Sequence, residues 1–355
     1  MDQPRTEPKK KRSNVRNQHY VPRCLMNAFA KRGGGKKLQV HVFDKRSDRS
    51  FLTATENIFS QRDFNTFEGE GGAVLCLEDG MATIEDIAAP VLRKLAAERS
   101  LATISDEERM ALIVFVALQK IRGVSLRAQF KAMTDQLRRR IQANGTDPDT
   151  IDQLREDGDE GLKLTSLQFV RDHLAEFTQH YLDKALVLHA APKGREFVLG
   201  DAAVVWANKR DHGPYGNLGL GVVGIELYMP VSPDLAVAFW CPSIVDMVSR
   251  TRDRTRDLIQ KLSAVSLLGL GREAEEARRN LPQLRAKFAR AQADLDAIAA
   301  GVPLQLDVNN MKYVNSLQIS QSEQYVVSSN GDFSFVQEMI RDNAAYRRGP
   351  QISFG

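Results

Sequence analysis

The chain of 355 residues is 43% hydrophobic and 26% charged, close to the globular average, which excludes wholesale disorder and fibrous repeats and allows a large core in one elaborated domain or two packed ones. Six of its 49 basic and two of its 45 acidic residues fall within the first 17 positions, which accounts for the whole formal excess of +4. The rest of the chain is therefore neutral and has no net field to draw in a polyanion.

Residues 1–17 are polar, basic and proline-containing, too poor in apolar surface to offset the entropy of ordering, and read as a disordered arm. Within the arm, Pro8-Lys9-Lys10-Lys11-Arg12 has the form of a nuclear import signal and equally of a solubilising tail, and the arm is a candidate tether for nucleic acid. No apolar run follows it that would suit a secretory signal, and no stretch is long enough to span a membrane, so a cytoplasmic location without membrane partners is expected. Cys24, Cys76 and Cys241 are few and widely spaced, which argues against a disulfide scaffold and a zinc ribbon.

Apolar residues at helical spacing from Val21 to Phe29 predict a short helix starting at His19 or just after, with Pro22 in its first turn. Gly33-Gly34-Gly35 breaks it and reads as a turn, because the ending of a phosphate loop is missing. Residues 38–43 alternate as a half-buried strand, and a second extended piece is expected over 51–59. Helical periodicity returns over 82–97. Ser105 with Glu108 forms a capping box for the next helix, Asn144-Gly145 marks a break, and residues 167–184 are helical again. Short β-rich runs follow at 185–190, 196–199, 204–206, 224–229 and 235–240. Residues 242–300 turn helical and arginine-rich, and 325–327 and 333–341 predict a last strand and helix.

Helices segregated from strands predict an α+β fold, with helical N-terminal and central regions packed on a mostly antiparallel sheet and a further helical segment near the C-terminus. The expected organisation is the arm at 1–17, one domain over 18–345 and a tail at 346–355. Within the domain, 80–185 and 243–300 are expected to be helical and 185–241 strand-rich.

His19, between Gln18 and Tyr20, suits general acid or base work near neutrality. His19-Tyr20-Val21-Pro22 shares a His-x-Val-Pro string with ββα-metal nucleases, but helical spacing follows where those enzymes need a hairpin. His173, Glu176 and His180 share one helix face, yet ligands two turns apart lie about 10 Å from each other and cannot share an ion. The acidic residues interrupting residues 250–257 predict intrahelical ion pairs.

The segment Asn17-Gln18-His19-Tyr20-Val21-Pro22-Arg23, followed by Leu25, Phe29 and Val40-His41-Val42-Phe43-Asp44-Lys45, resembles the opening of the family catalogued as domain of unknown function 4238. The likeness continues through Asp63-Phe64-Asn65, where the family has tyrosine at the last position, then through Glu78 and Glu85, and Gln119 with Arg122. It extends to Phe197–Val204, Pro230–Asp234 and Asn315. Around Asp201 the chain departs from the pattern, with Gly200, Ala202 and Ala203 where serine, asparagine and proline are usual.

The resemblance groups Gln18, His19, Glu78, Glu85, Arg122, Asp201 and Asn315 as one candidate polar cluster. His19 would be the base, Asp201 and Arg122 its catalytic partners, and Glu78 and Glu85 would hold a divalent metal. That set implies a metal-assisted hydrolase acting on phosphodiesters; alternatively, the same residues form a structural network in a ligand- or nucleic-acid-binding module.

Overall fold

Pro22 fixes the start of the first helix. Its ring sets an extended N-cap conformation, so the helix opens at Arg23, and the residues before the proline are left free to pair as a strand. The computed structural model describes residues 16–32, 37–69, 74–151, 154, 158–213, 218–269 and 271–350. In chain order these hold β1 (Asn17–His19), α1 (Arg23–Phe29), β2 (Lys31–Arg32), β3 (Leu38–Asp44), β4 (Arg49–Ala54), β5 (Ser60–Arg62), β6 (Thr66–Glu68) and β7 (Val74–Cys76). The long helices α2 (Glu78–Glu98), α3 (Asp106–Ile121), α4 (Val124–Ala143) and α5 (Gly158–Leu182) follow. Then come β8 (Ala185–Ala190), β9 (Leu199–Gly200), β10 (Val205–Asn208), β11 (Ile225–Ser232) and β12 (Leu235–Trp240). The chain continues with α6 (Pro242–Leu268), α7 (Arg272–Ala300), β13 (Leu304–Gln305), α8 (Val308–Gln321), β14 (Tyr325–Ser328) and α9 (Ser334–Asp342).

The fold is α+β, as expected, but its strands form two five-stranded sheets in place of one. One runs β10-β11-β12-β8-β13 and is antiparallel except for the last pair. The other runs β2-β3-β14-β9, with β4 also on β3. Two short antiparallel pairs, β1-β5 and β6-β7, lie beside them.

Both faces of the first sheet are covered, and side-chain alternation sorts its residues between them. Leu186, Leu188, Leu227, Val237 and Phe239 join the main core with Tyr20, Leu25 and Phe115, on the side of α1, α2 and α3. Val187, Tyr228, Ala236 and Ala238 face the other way, into a second cluster with Met311 and Val314 of α8. The capping box is present, with Ser105 accepting from the Glu108 N–H and Glu108 accepting from the Ser105 N–H. The predicted break falls where α4 ends at Asn144 and Gly145 takes φ of 81°.

The glycine run at 33–35 and residues 1–15 of the arm lie outside the described residues. Arg16 and Asn17, counted with the arm in the sequence, belong to the folded body: the Asp63 N–H donates to the Arg16 carbonyl and Asn17 pairs with Arg62. The start of the C-terminal tail is likewise docked, with Arg347 donating to the Lys45 carbonyl and to Asp48. The arginine-rich face carries the expected ion pairs, including Arg252 and Arg256 on Asp253. Among the described residues no helix is long and apolar enough to cross a membrane.

Candidate functional site

The strand β1 sets the site. Gln18 pairs with Gln61 and His19 with Ser60, and the Tyr20 N–H donates to the Phe59 carbonyl. Phe59 and Asp63, which bracket β5, both take left-handed φ values, 55° and 51°, a conformation that costs energy for a bulky ring such as Phe59.

Gln18 is buried, its carbonyl oxygen accepting from the Asn65 N–H at 2.6 Å and its amide donating to Thr66 Oγ1 at 2.9 Å. It therefore pins the turn that carries Asn65. The Asn65 side chain donates in turn to Glu78 Oε2 at 2.7 Å, so the asparagine that departs from the resembled pattern positions a carboxylate at the start of α2. Burial raises the Glu78 pKa, with Glu85 adding to the effect and Asn65 and Arg122 opposing it.

Arg122 closes the C-terminus of α3 and ties three elements together. Its buried guanidinium donates from Nε to the Tyr20 carbonyl at 3.2 Å and from Nη1 to Glu85 of α2 at 2.6 Å. The Glu85–Arg122 pair thus holds α2 and α3 against the segment carrying His19.

Glu78 and Glu85 face a cleft of about 560 Å³, lined also by His19, Arg23, Glu56 and Asp86 among others. His19 is half-buried, and its Nε2 lies 3.3 Å from the Thr55 carbonyl. A carbonyl only accepts, so Nε2 carries the proton and the neutral ring keeps its lone pair on Nδ1. Burial lowers the His19 pKa, opposed by the bond to Thr55 and reinforced by Arg23. Cys24, at the same cleft, is pushed up to about 12 by burial and stays a thiol.

Asp201 and Asn315 lie elsewhere. Asp201 is 1% exposed, and its carboxylate accepts the N–H groups of Glu323, Gln324 and Tyr325 at 2.6, 2.7 and 2.9 Å. Burial raises its pKa, against the pull of those donors and of Lys45. It anchors the chain entering β14.

Asn315 belongs to a ladder on α8. Asn315 accepts from the Val198 N–H and donates to the Glu196 carbonyl. Gln318 does the same to Gly200 and Ala203, and Gln321 to both backbone groups of Trp206. Three amide side chains at helical spacing thereby satisfy the chain that links the two sheets. Gly200 is part of this fit, because a Cβ there would sit 1.9 Å from Ser322 Oγ. The altered loop is a packing solution of this chain.

The structure therefore splits the candidate cluster. Gln18, His19, Glu78, Glu85 and Arg122 come together, whereas Asp201 and Asn315 bond to backbone elsewhere. The donor set does not suit a divalent metal. Glu85 is held by a guanidinium and Glu78 by Asn65, and among the described residues no group of three His, Cys, Asp or Glu side chains is arranged to hold an ion. His173 pairs with Glu176 at 3.0 Å on an exposed face. Sequence reasoning missed Arg23, Glu56 and Asp86 as cleft residues; Arg23 adjoins the opening motif, but only the fold brings in the other two.

An α+β body with a polar cleft built on an N-terminal Gln-His-Tyr-Val-Pro segment defines the class. Residues 17–332 match the model of the family described as protein of unknown function (DUF4238), and the chain belongs to that family. Neither the curated proteins nor the solved structures contain a match to it.

Proposed function

We propose that the cleft is the active site of an acid–base hydrolase, with His19 as the base that activates water and Glu78 as the acid that protonates the leaving group. The observation that supports this reading most is the pairing of opposite pKa perturbations in one cleft. Burial keeps an imidazole neutral with a free lone pair and raises a carboxyl toward its protonated form. Arg122 and Glu85 serve as positioning residues, and Asp201 has no direct part.

The cleft's charges argue for an uncharged scissile bond, as in an ester, amide or glycoside, and against the phosphodiester expected from the residue types. Lys37 pairs with Glu56 and Arg122 with Glu85, which leaves Glu78 and Asp86 against Arg23. With Glu78 protonated as the acid, Asp86 and Arg23 balance, so the cleft offers no surplus cation to a phosphodiester's negative charge.

The test is turnover of chromogenic esters, amides, glycosides and phosphodiesters by purified protein and by His19→Ala. Turnover of an uncharged substrate that falls about 10²–10⁴-fold in the variant supports the reading. Absence of turnover across the panel, or turnover indifferent to His19, rejects it.

A second reading draws on the Gln18–Asn65–Glu78 and Tyr20–Arg122–Glu85 hydrogen bonds, which also suit a non-enzymatic binding module. On that reading residues 1–15 tether nucleic acid, and deleting them reduces both affinity and its salt dependence. A cytoplasmic setting is part of either reading.

A further inference from the structure

On the face of the first sheet that turns away from α1 and α2 lies a second cavity, of about 390 Å³, closed over by α6, α7 and α8. Its hollow follows from the register. Strand β12 places Ala236 beside His189 and Ala238 beside Tyr228, so two small side chains lie among large rings. Trp240, at the end of the same strand, and Tyr313 of α8 complete an aromatic lining.

His189 is 2% exposed, and neither of its ring nitrogens has a partner within the protein. Its ring rests against Tyr228 and Trp240, with centroids 5.4 and 5.2 Å away. Burial drops its pKa to about 3, so at neutral pH it offers one N–H and one lone pair. Beside it Glu226, also buried, accepts from the hydroxyls of Tyr228 and Tyr313. Lys209 stands 3.9 Å from that carboxylate and 4.0 Å over the Tyr313 ring.

The lining narrows the chemistry of an occupant. A hydrocarbon would leave both His189 nitrogens unpaired. A simple cation would meet Lys209 and Arg210 on its way to a carboxylate that two hydroxyls and an ammonium already surround. Arg290 is committed to Asp294 and the Gln305 carbonyl. What remains is a flat ring with polar edge atoms, of a size that fits the roughly 300–1,000 Å³ typical of small-ligand sites.

We propose that this cavity binds a planar heteroaromatic ligand of the nucleobase class, its ring among Trp240, Tyr228 and Tyr313 and its polar edge on His189. Lys209 and Arg210 at the rim receive an anionic substituent where the ligand has one, which would make a nucleotide bind more tightly than a nucleoside. The site is independent of the His19 cleft.

Calorimetric titration of the full chain with the four common ribonucleosides and their 5′-monophosphates tests the proposal, with indole as an apolar control. The expected result is saturable one-to-one binding of at least one nucleoside, weakened at least tenfold in His189→Phe. Lys209→Ala should erase any advantage of the monophosphate. Met247→Trp fills the cavity from a half-exposed position on α6 and should abolish binding in a protein that melts as the parent does, which covers the case in which the His189 variant fails to fold. No binding at millimolar ligand, equal affinity for indole, or parental affinity in Met247→Trp would each overturn the proposal.

Discussion

Replacing Asp201 with alanine separates a framework role from a catalytic one. In the folded protein its carboxylate is the acceptor for three consecutive backbone N–H groups, those of residues 323–325, at 2.6–2.9 Å and away from solvent. Each buried donor left without an acceptor costs about 1–3 kcal/mol, and the buried ammonium of Lys45 also loses its nearby carboxylate. Lys45 keeps its bonds to the Ile319 and Ser322 carbonyls, so the total is about 4–6 kcal/mol, a large part of the roughly 5–15 kcal/mol that stabilises most folds. At about 2.1 cal/mol/K of unfolding entropy per residue, a chain this long loses roughly 5–8 °C in Tm. Urea denaturation gives the free energy, and hydrogen exchange should show amides 323–325 losing protection first. Asp201→Asn should cost less, since its amide oxygen can take the place of Oδ2 and keep two of the three bonds, leaving only the Glu323 N–H facing an amide nitrogen. If Asp201→Ala melts within about 1 kcal/mol of the parent and those amides stay protected, the framework assignment is wrong.

Further outcomes follow from the same geometry. Turnover at the cleft needs His19 neutral and Glu78 protonated. Since burial lowers the former from 6.5 and raises the latter from 4.5, the pH–rate profile should be a bell whose acid limb belongs to His19 and whose alkaline limb belongs to Glu78, the alkaline limb being lost in Glu78→Gln. Glu85→Ala leaves the Arg122 guanidinium buried without its carboxylate and should cost about 3–5 kcal/mol by chemical denaturation. Gln318→Ala strands the Gly200 N–H and the Ala203 carbonyl and should cost about 2–4 kcal/mol, with no change in the pH optimum of the cleft. His189 takes up a proton near 6.5 when unfolded but only near 3 when folded. Its contribution is therefore complete above pH 6.5 and is lost as the pH falls toward 3, at up to about 1.4 kcal/mol per pH unit, a slope that His189→Phe should lack.

Local rules made much of this architecture legible. Short β-rich runs located the strands at 185–190 and 235–240, and the capping box opened α3 where Ser105 and Glu108 said it would. The apolar spacing after Pro22 did mark a helix, but it could not reveal that Asn17–His19 pair with Ser60–Arg62 some forty residues away. Long-range pairing likewise hid the second sheet, in which β14 joins β3 across most of the chain.

Three of the seven candidate residues, His19, Glu78 and Glu85, line one cleft, and Gln18 and Arg122 are bonded to the groups behind it. Asp201 and Asn315 lie away from it, bonded to backbone, and residue type alone cannot tell a carboxylate facing a cleft from one facing its own backbone. The second cavity had a faint signal: His189 and Glu226 are lone polar residues inside apolar strand runs, and burial of that kind calls for a partner or a purpose.

The amide ladder on α8 also sets an order of events during synthesis. The carbonyls and N–H groups of residues 196–206 find their partners 115–119 positions later in the chain. At roughly 5–20 residues per second, ribosomes expose that stretch for about 6–24 s before α8 emerges to cover it. The link between the two sheets is thus among the last parts to become native. A chaperone that shelters the nascent chain would be needed most over this interval, and a message truncated before residue 308 would lack both this helix and β14, the strand that joins β9 to β3.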